Sequence, residues 1–134
     1  MQKDIERPLV QDVAMAVVRE LDEEGEEAWY VYLVNLRDEA LENVLVSSRG
    51  YGEMAGEARR TSEMRHFLEH LGPRSWARIE RIVEDVFALN NQYWLSFYLR
   101  GALYDRKYIF VAGSIEETNF TTVPLMEKRG VMIV

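Results

Sequence analysis

The chain has 134 residues, 48% hydrophobic and 29% charged, with a formal net charge of −7. That length and balance suit one globular domain, residues 1–134, and not a disordered chain. The absence of cysteine excludes disulfides, thiolate catalysis, iron–sulfur clusters and cysteine-ligated zinc. The acidic balance disfavours non-specific nucleic-acid binding, which draws its energy from Lys and Arg.

Residues Met1 to Pro8 carry acids and no apolar run, unlike a secretion signal. No apolar run approaches the ~20 residues that span a bilayer, so a cytoplasmic protein without a membrane partner is expected. Leu9 to Leu21 is apolar on both alternating faces, which fits a strand buried on both sides or a short helix. The acidic stretch Glu20 to Glu27 turns the chain at Gly25. Ala28 to Leu36, rich in Trp, Tyr and Val, is a second strand, and Leu41 to Ser48 a third. Strands joined by short charged turns have the rhythm of an antiparallel meander. Residues 49–62, with Gly50, Gly52 and Gly56 among charges, read as a long mobile loop.

The middle of the chain supports two readings. Trp76, Ile79, Ile82, Val83, Val86 and Phe87 fit a helix face, whereas Ala77, Ile79, Val83, Phe87 and Leu89 fit a strand. Leu71 to Ser75 is a turn, because Gly72 and Pro73 interrupt regular structure. Strand is the preferred reading for this region. Tyr93 to Leu99 and Leu103 to Val111 form a hairpin about Arg100-Gly101. Phe120 to Leu125 and Val131 to Val134 supply an edge strand, with Pro124 where no ladder donor is needed.

Few residues point to chemistry. His66-Phe67-Leu68-Glu69-His70 matches H-x-x-E-H, a zinc-hydrolase pattern that needs two imidazoles one helical turn apart, a Glu base and a third ligand. Gly72-Pro73 cuts short any helix there, and no third ligand stands out. Gly50 to Gly56 follows a strand but has the spacing G-x-G-x-x-x-G, with Glu53 where a pyrophosphate would sit. Arg59, Arg60, Arg65, Arg74, Arg78 and Arg81 form a basic strip suited to RNA, yet glutamates alternate with them. Glu80, Glu84 and Asp85 read as an exposed charged face and not an acid/base pair.

The segments Trp29 to Asn35, Ser47 to Gly52, Met64-Arg65-His66 and Leu103 to Phe110 carry a resemblance. In order and spacing they resemble a family of short, uncharacterised bacterial proteins, some of them labelled phenylalanyl-tRNA synthetase alpha subunit. The resemblance covers most of the chain but rests on structural segments, so it implies no functional residue. A class II synthetase core is far longer and needs motif arginines on a large antiparallel sheet, for which this chain has no room.

The expected fold is all-β: an antiparallel β-sandwich, Ig-like in general architecture, of about seven strands. The alternative is α+β, with one helix near residues 75–88 on an antiparallel sheet. The expected function is a non-catalytic protein-interaction module without a cofactor. Its contact surfaces would be an exposed strand edge and Val131, Met132, Ile133 and Val134, which pair within the fold or across a homodimer. The alternatives are an RNA-binding accessory protein linked to tRNA biology and a zinc-dependent hydrolase using His66, Glu69 and His70.

Overall fold

The computed structural model describes residues 9–134, so the reading of Met1 to Pro8 lies outside the described residues. Ten strands run in chain order: β1 Val13–Leu21, β2 Glu27–Asn35, β3 Leu41–Met54, β4 Glu57–Arg60, β5 Met64–Leu71, β6 Ser75–Ile82, β7 Asn90–Leu99, β8 Ala102–Phe110, β9 Thr121–Val123 and β10 Lys128–Ile133. The only helical elements among the described residues are two short 3₁₀ turns, Glu84–Ala88 and Glu117–Asn119. The strands form two antiparallel sheets, ordered β6-β2-β1-β10-β9 and β5-β3-β7-β8, with β4 extending the β5 edge beside the far end of β3. The all-β sandwich is therefore the fold. A helix over residues 75–88 is not: Ser75–Ile82 pairs with β2 as an edge strand. Among the described residues no helix is long and apolar enough to cross a membrane.

Alternation explains the layers. On β1, Val13, Met15 and Val17 face the other sheet, with Val31 and Leu33 of β2 beside them, and meet Val46, Leu95 and Phe97. The opposite face of β1 presents Ala14, Ala16 and Val18, which join Tyr30, Tyr32 and Val34 in a second buried cluster. Leu36, Leu125, Met126 and Met132 pack against that cluster. Thus β1 is buried on both sides, and Val13 to Val18 have no solvent exposure.

Glycines at positive φ close the hairpins. Ala55-Gly56 and Arg100-Gly101 both place two consecutive residues at positive φ, the type I′ geometry that matches strand twist. The first pair corrects the expectation of a mobile loop over residues 49–62. There β3 continues to Met54 and returns as β4, because Gly50 and Gly52 leave space for Leu89, Asn90 and Asn91 against the backbone. Thr61 fastens the return: its Oγ1 accepts from Gly50 N at 2.8 Å, and its own N–H donates to Gly50 O at 2.9 Å.

Between β5 and β6 the chain crosses from one sheet to the other. The buried Asn35 holds this corner, its amide donating to Glu39 O and Gly72 O at 2.9 Å while its Oδ1 accepts from Arg37 N at 3.0 Å. The far end of the sandwich is closed by Trp29, edge-on to Phe87 and Phe120 at 5.0 and 5.8 Å.

The C-terminal segment pairs within the fold, one of the two outcomes expected of it, although the edge there is β9 alone. Strand β10 lies between β1 and β9, Val131 is in the core, and Met132 and Ile133 pack against the two buried clusters. Val134 is exposed, and its carbonyl accepts from Arg106 at 2.9 Å. Close approach explains Gly130, which pairs with Val18 and would place a Cβ 2.2 Å from Val17 O. Gly130→Ala must push β10 from β1, and overpacking of this kind costs about 1–3 kcal/mol or more. Urea unfolding should show a clear drop in midpoint; an unchanged midpoint would contradict the close contact.

Candidate functional site

The sandwich has one edge where β6 of the first sheet lies beside β5 and β3 of the second, and a break in alternation shapes it. Pairing of β2 with β6 steps from Val31 opposite Glu80 to Tyr32 opposite Arg78, leaving Ile79 as an extra residue. Such a β-bulge re-aims the side chains beside it. Ile79 enters the core, Glu80 also turns inward, and Arg78 keeps to the outer face over Tyr30, at 3.9 Å from its ring.

Glu80 then meets three donors from the other sheet. Ser48 Oγ of β3 donates to its Oε1 at 2.8 Å, His66 Nε2 of β5 lies 2.8 Å from the same oxygen, and Tyr93 OH of β7 donates to Oε2 at 2.9 Å. The Glu80 side chain is 15% exposed and that of His66 23%. Among the described residues no Lys or Arg reaches ion-pair distance of Glu80. Other shielded acids differ: Glu20 meets Lys128 and Arg78, and Asp22 meets Arg81. Burial pushes the Tyr93 phenol far above its ordinary value, and the adjacent Glu80 carboxylate pushes it in the same direction.

Beside the carboxylate lies an open cavity of about 220 Å³. Ser48, Thr61, Ser62, Asn91 and Tyr93 line it together with Glu80. Sequence reasoning missed this site by treating Glu80 as an exposed charge. A signal was present: Ala77 and Ile79 alternate, but the next inward apolar residue, Ile82, comes three positions later. That slip of one in a period-two pattern is the mark of a bulge.

The structure does not bring the zinc-pattern residues together. Residues 66–70 form part of a strand, which separates His66 from His70 by about 13 Å, against one turn on a helix. His66 bonds Glu80, whereas the exposed His70 pairs with Glu42 across β3 and β5 at 2.9 Å. Glu69 is exposed. The described residues contain no group of three or more His, Asp or Glu arranged to hold a metal.

The arginine strip is divided. Arg59, Arg60 and Arg65 lie on β4 and β5, Arg74 is in the corner turn, and Arg78 and Arg81 flank Tyr30 on the outer face of the other sheet. Glu84 and Asp85 lie exposed in the first 3₁₀ turn, where Glu84 accepts from Trp29 Nε1 at 3.3 Å.

A second surface feature is the outer face of the β5-β3-β7-β8 sheet. Phe67 and Leu45 are cross-strand neighbours there, as are Trp94 with Lys107 and Tyr98 with Leu103. Phe67 is 60% exposed, Leu103 48% and Trp94 44%. Lys107 Nζ sits 4.5 Å from the Trp94 ring, and the Arg49 guanidinium 5.5 Å from that of Tyr51. Regular alternation produces this face, but the sequence alone does not distinguish it from the covered outer face of the first sheet.

No protein-family model matches this sequence, and no curated protein does either. Its site therefore has to be read from geometry.

Two buried phenols give a check on that geometry. Tyr108 donates to Val13 O at 2.5 Å, and burial pushes it up to about 12, with Arg106 pulling weakly the other way. Both Tyr93 and Tyr108 hold their protons more tightly in the folded state than unfolded. Their contribution to stability is complete below pH 10 and for Tyr108 is lost as pH rises through about 12. In an ultraviolet titration of the seven tyrosines, these two should ionise only as the fold opens. Reversible ionisation of all seven near pH 10, with the fold intact, would contradict this.

Proposed function

We propose that the protein is a non-catalytic interaction module of the cytoplasm that docks a partner protein on the outer face of its β5-β3-β7-β8 sheet. One observation carries the reading: Leu45, Phe67, Trp94, Tyr98, Leu103 and Ile109 stand exposed on that one face. Large apolar side chains grouped on one exposed face mark interaction sites, and Trp and Tyr are the side chains that dominate binding energy at interfaces.

The charges on the face describe the partner. Arg49 and Lys107 hold cation–π contacts with aromatic rings and no ion pair among the described residues, so they are open to a carboxylate. The matching surface presents apolar groups bordered by acids. Single-stranded RNA is favoured less, because the rings of Phe67, Trp94 and Tyr98 alternate with Leu45, Leu103 and Ile109, on which bases do not stack, and Glu42 and Asp105 lie on the same face. The contact residues Val131 to Ile133 expected from sequence are occupied within the fold and take no part in this reading.

Capture from the source cell should yield a specific protein that a Phe67→Ser/Trp94→Ser variant binds at least tenfold more weakly. Trp76→Ser, which alters an equally exposed Trp on β6, should bind as the unmodified chain does. Equal retention by the double variant would overturn the proposal. So would recovery of RNA whose binding falls steeply with salt and requires Arg49 and Lys107.

A further inference from the structure

The geometry points to a second binding site, independent of the sheet face: the cavity beside Glu80 takes a small organic cation, a primary ammonium on a short apolar tail. An ionised carboxylate has about four acceptor positions. Ser48 and His66 fill two on Oε1 and Tyr93 fills one on Oε2, leaving one on Oε2 without a described donor.

Among the described residues the one ionisable nitrogen on this carboxylate is His66 Nε2, 2.8 Å from Oε1. Ser48 and Tyr93 donate as neutral hydroxyls, and among the described residues no Lys or Arg pairs with Glu80. Arg49 and Arg81 also border the cavity: Arg81 pairs with Asp22, while Arg49 lies over Tyr51 and has no ion pair among the described residues. The open acceptor position on Oε2 favours a ligand that brings a donor over one that brings only acceptors. One N–H of an ammonium supplies the missing donor to Oε2 as a charge-assisted hydrogen bond.

The remaining walls fix the tail. Met64, Ile82, Val83 and Val86 supply apolar surface, and Thr61 and Ser62 stand with them along the cavity. A volume of about 220 Å³ exceeds the ~150 Å³ cavity that holds benzene, so an alkyl chain of a few carbons fits.

The test uses n-butylammonium, with butyrate as the isosteric anion, in an amine-free buffer. Amide NMR shifts of the intact protein are followed during titration. Butylammonium should give saturable shifts centred on Ser48, Gly50, Ser62 and Val83, with at least tenfold preference over butyrate. Glu80→Gln should weaken that binding at least tenfold. Should Glu80→Gln fail to fold, Ser62→Trp serves instead: it obstructs the exposed cavity rim, leaves the Glu80 hydrogen bonds in place and should also abolish the shifts. Absence of saturable binding to the unmodified protein, equal binding of butyrate, or binding that survives in both variants would overturn the assignment.

Discussion

One misfit residue in the β2–β6 pairing governs the most distinctive part of the molecule. With Ile79 inserted, β6 sends two successive side chains inward, one apolar and one a carboxylate. An apolar side chain there would have extended the core to the edge. Glu80 instead carries the contact between sheets as hydrogen bonds from three strands, and it leaves a cavity where continuous packing would otherwise run. Desolvating a carboxylate is costly, and its donors must offset that cost. Their convergence from β3, β5 and β7 explains why Ser48 and Tyr93 are polar although both are almost fully buried.

The two sheets treat their outer faces differently. On the β6-β2-β1-β10-β9 sheet, alanines on β1 leave room for Tyr30 and Tyr32, and Arg78 lies over the Tyr30 ring. Glu20 gathers Lys128, Tyr32 and Arg78 at the margin. Burial raises the Glu20 carboxyl, but the Lys128 and Tyr32 hydrogen bonds outweigh it and hold the group below its ordinary value. On the other sheet Leu45, Phe67, Trp94, Tyr98 and Leu103 stand exposed, and Arg49 and Lys107 lie over aromatic rings. The first arrangement uses Tyr30 and Tyr32 in folding and leaves Trp76 exposed at its β6 edge; the second presents Phe67, Trp94 and Tyr98 to solvent.

Much of the fold was legible in the sequence because period-two alternation reports directly on strands. Tyr93, Leu95, Phe97 and Leu99 carry that alternation, whereas Trp29 to Val34 is an unbroken aromatic and β-branched run buried on both faces, and both segments lie in strands inside their sheets. The Arg100-Gly101 hairpin was legible for a local reason, since only certain residues tolerate positive φ. Residues 49–62 misled because their glycines suggested freedom, whereas Gly50 is a place of close approach to Thr61 and Leu89. Val131 to Val134 misled for the opposite reason: an apolar terminal run looks like an edge until its partner β9 is located, and β9 is only three residues long.

The site was less legible than the fold. Its members are separated in sequence by up to 45 positions, from Ser48 to Tyr93, and only strand pairing brings them together. Motif spacing therefore drew attention to His66, Glu69 and His70, of which only His66 belongs to the site. The most direct test is a double-mutant cycle with Glu80→Ala and Tyr93→Phe, measured by urea unfolding. If the carboxylate joins the two sheets through that phenol, the two substitutions are coupled by about 0.5–3 kcal/mol. Strict additivity of their effects would show that the sheets are held together without it.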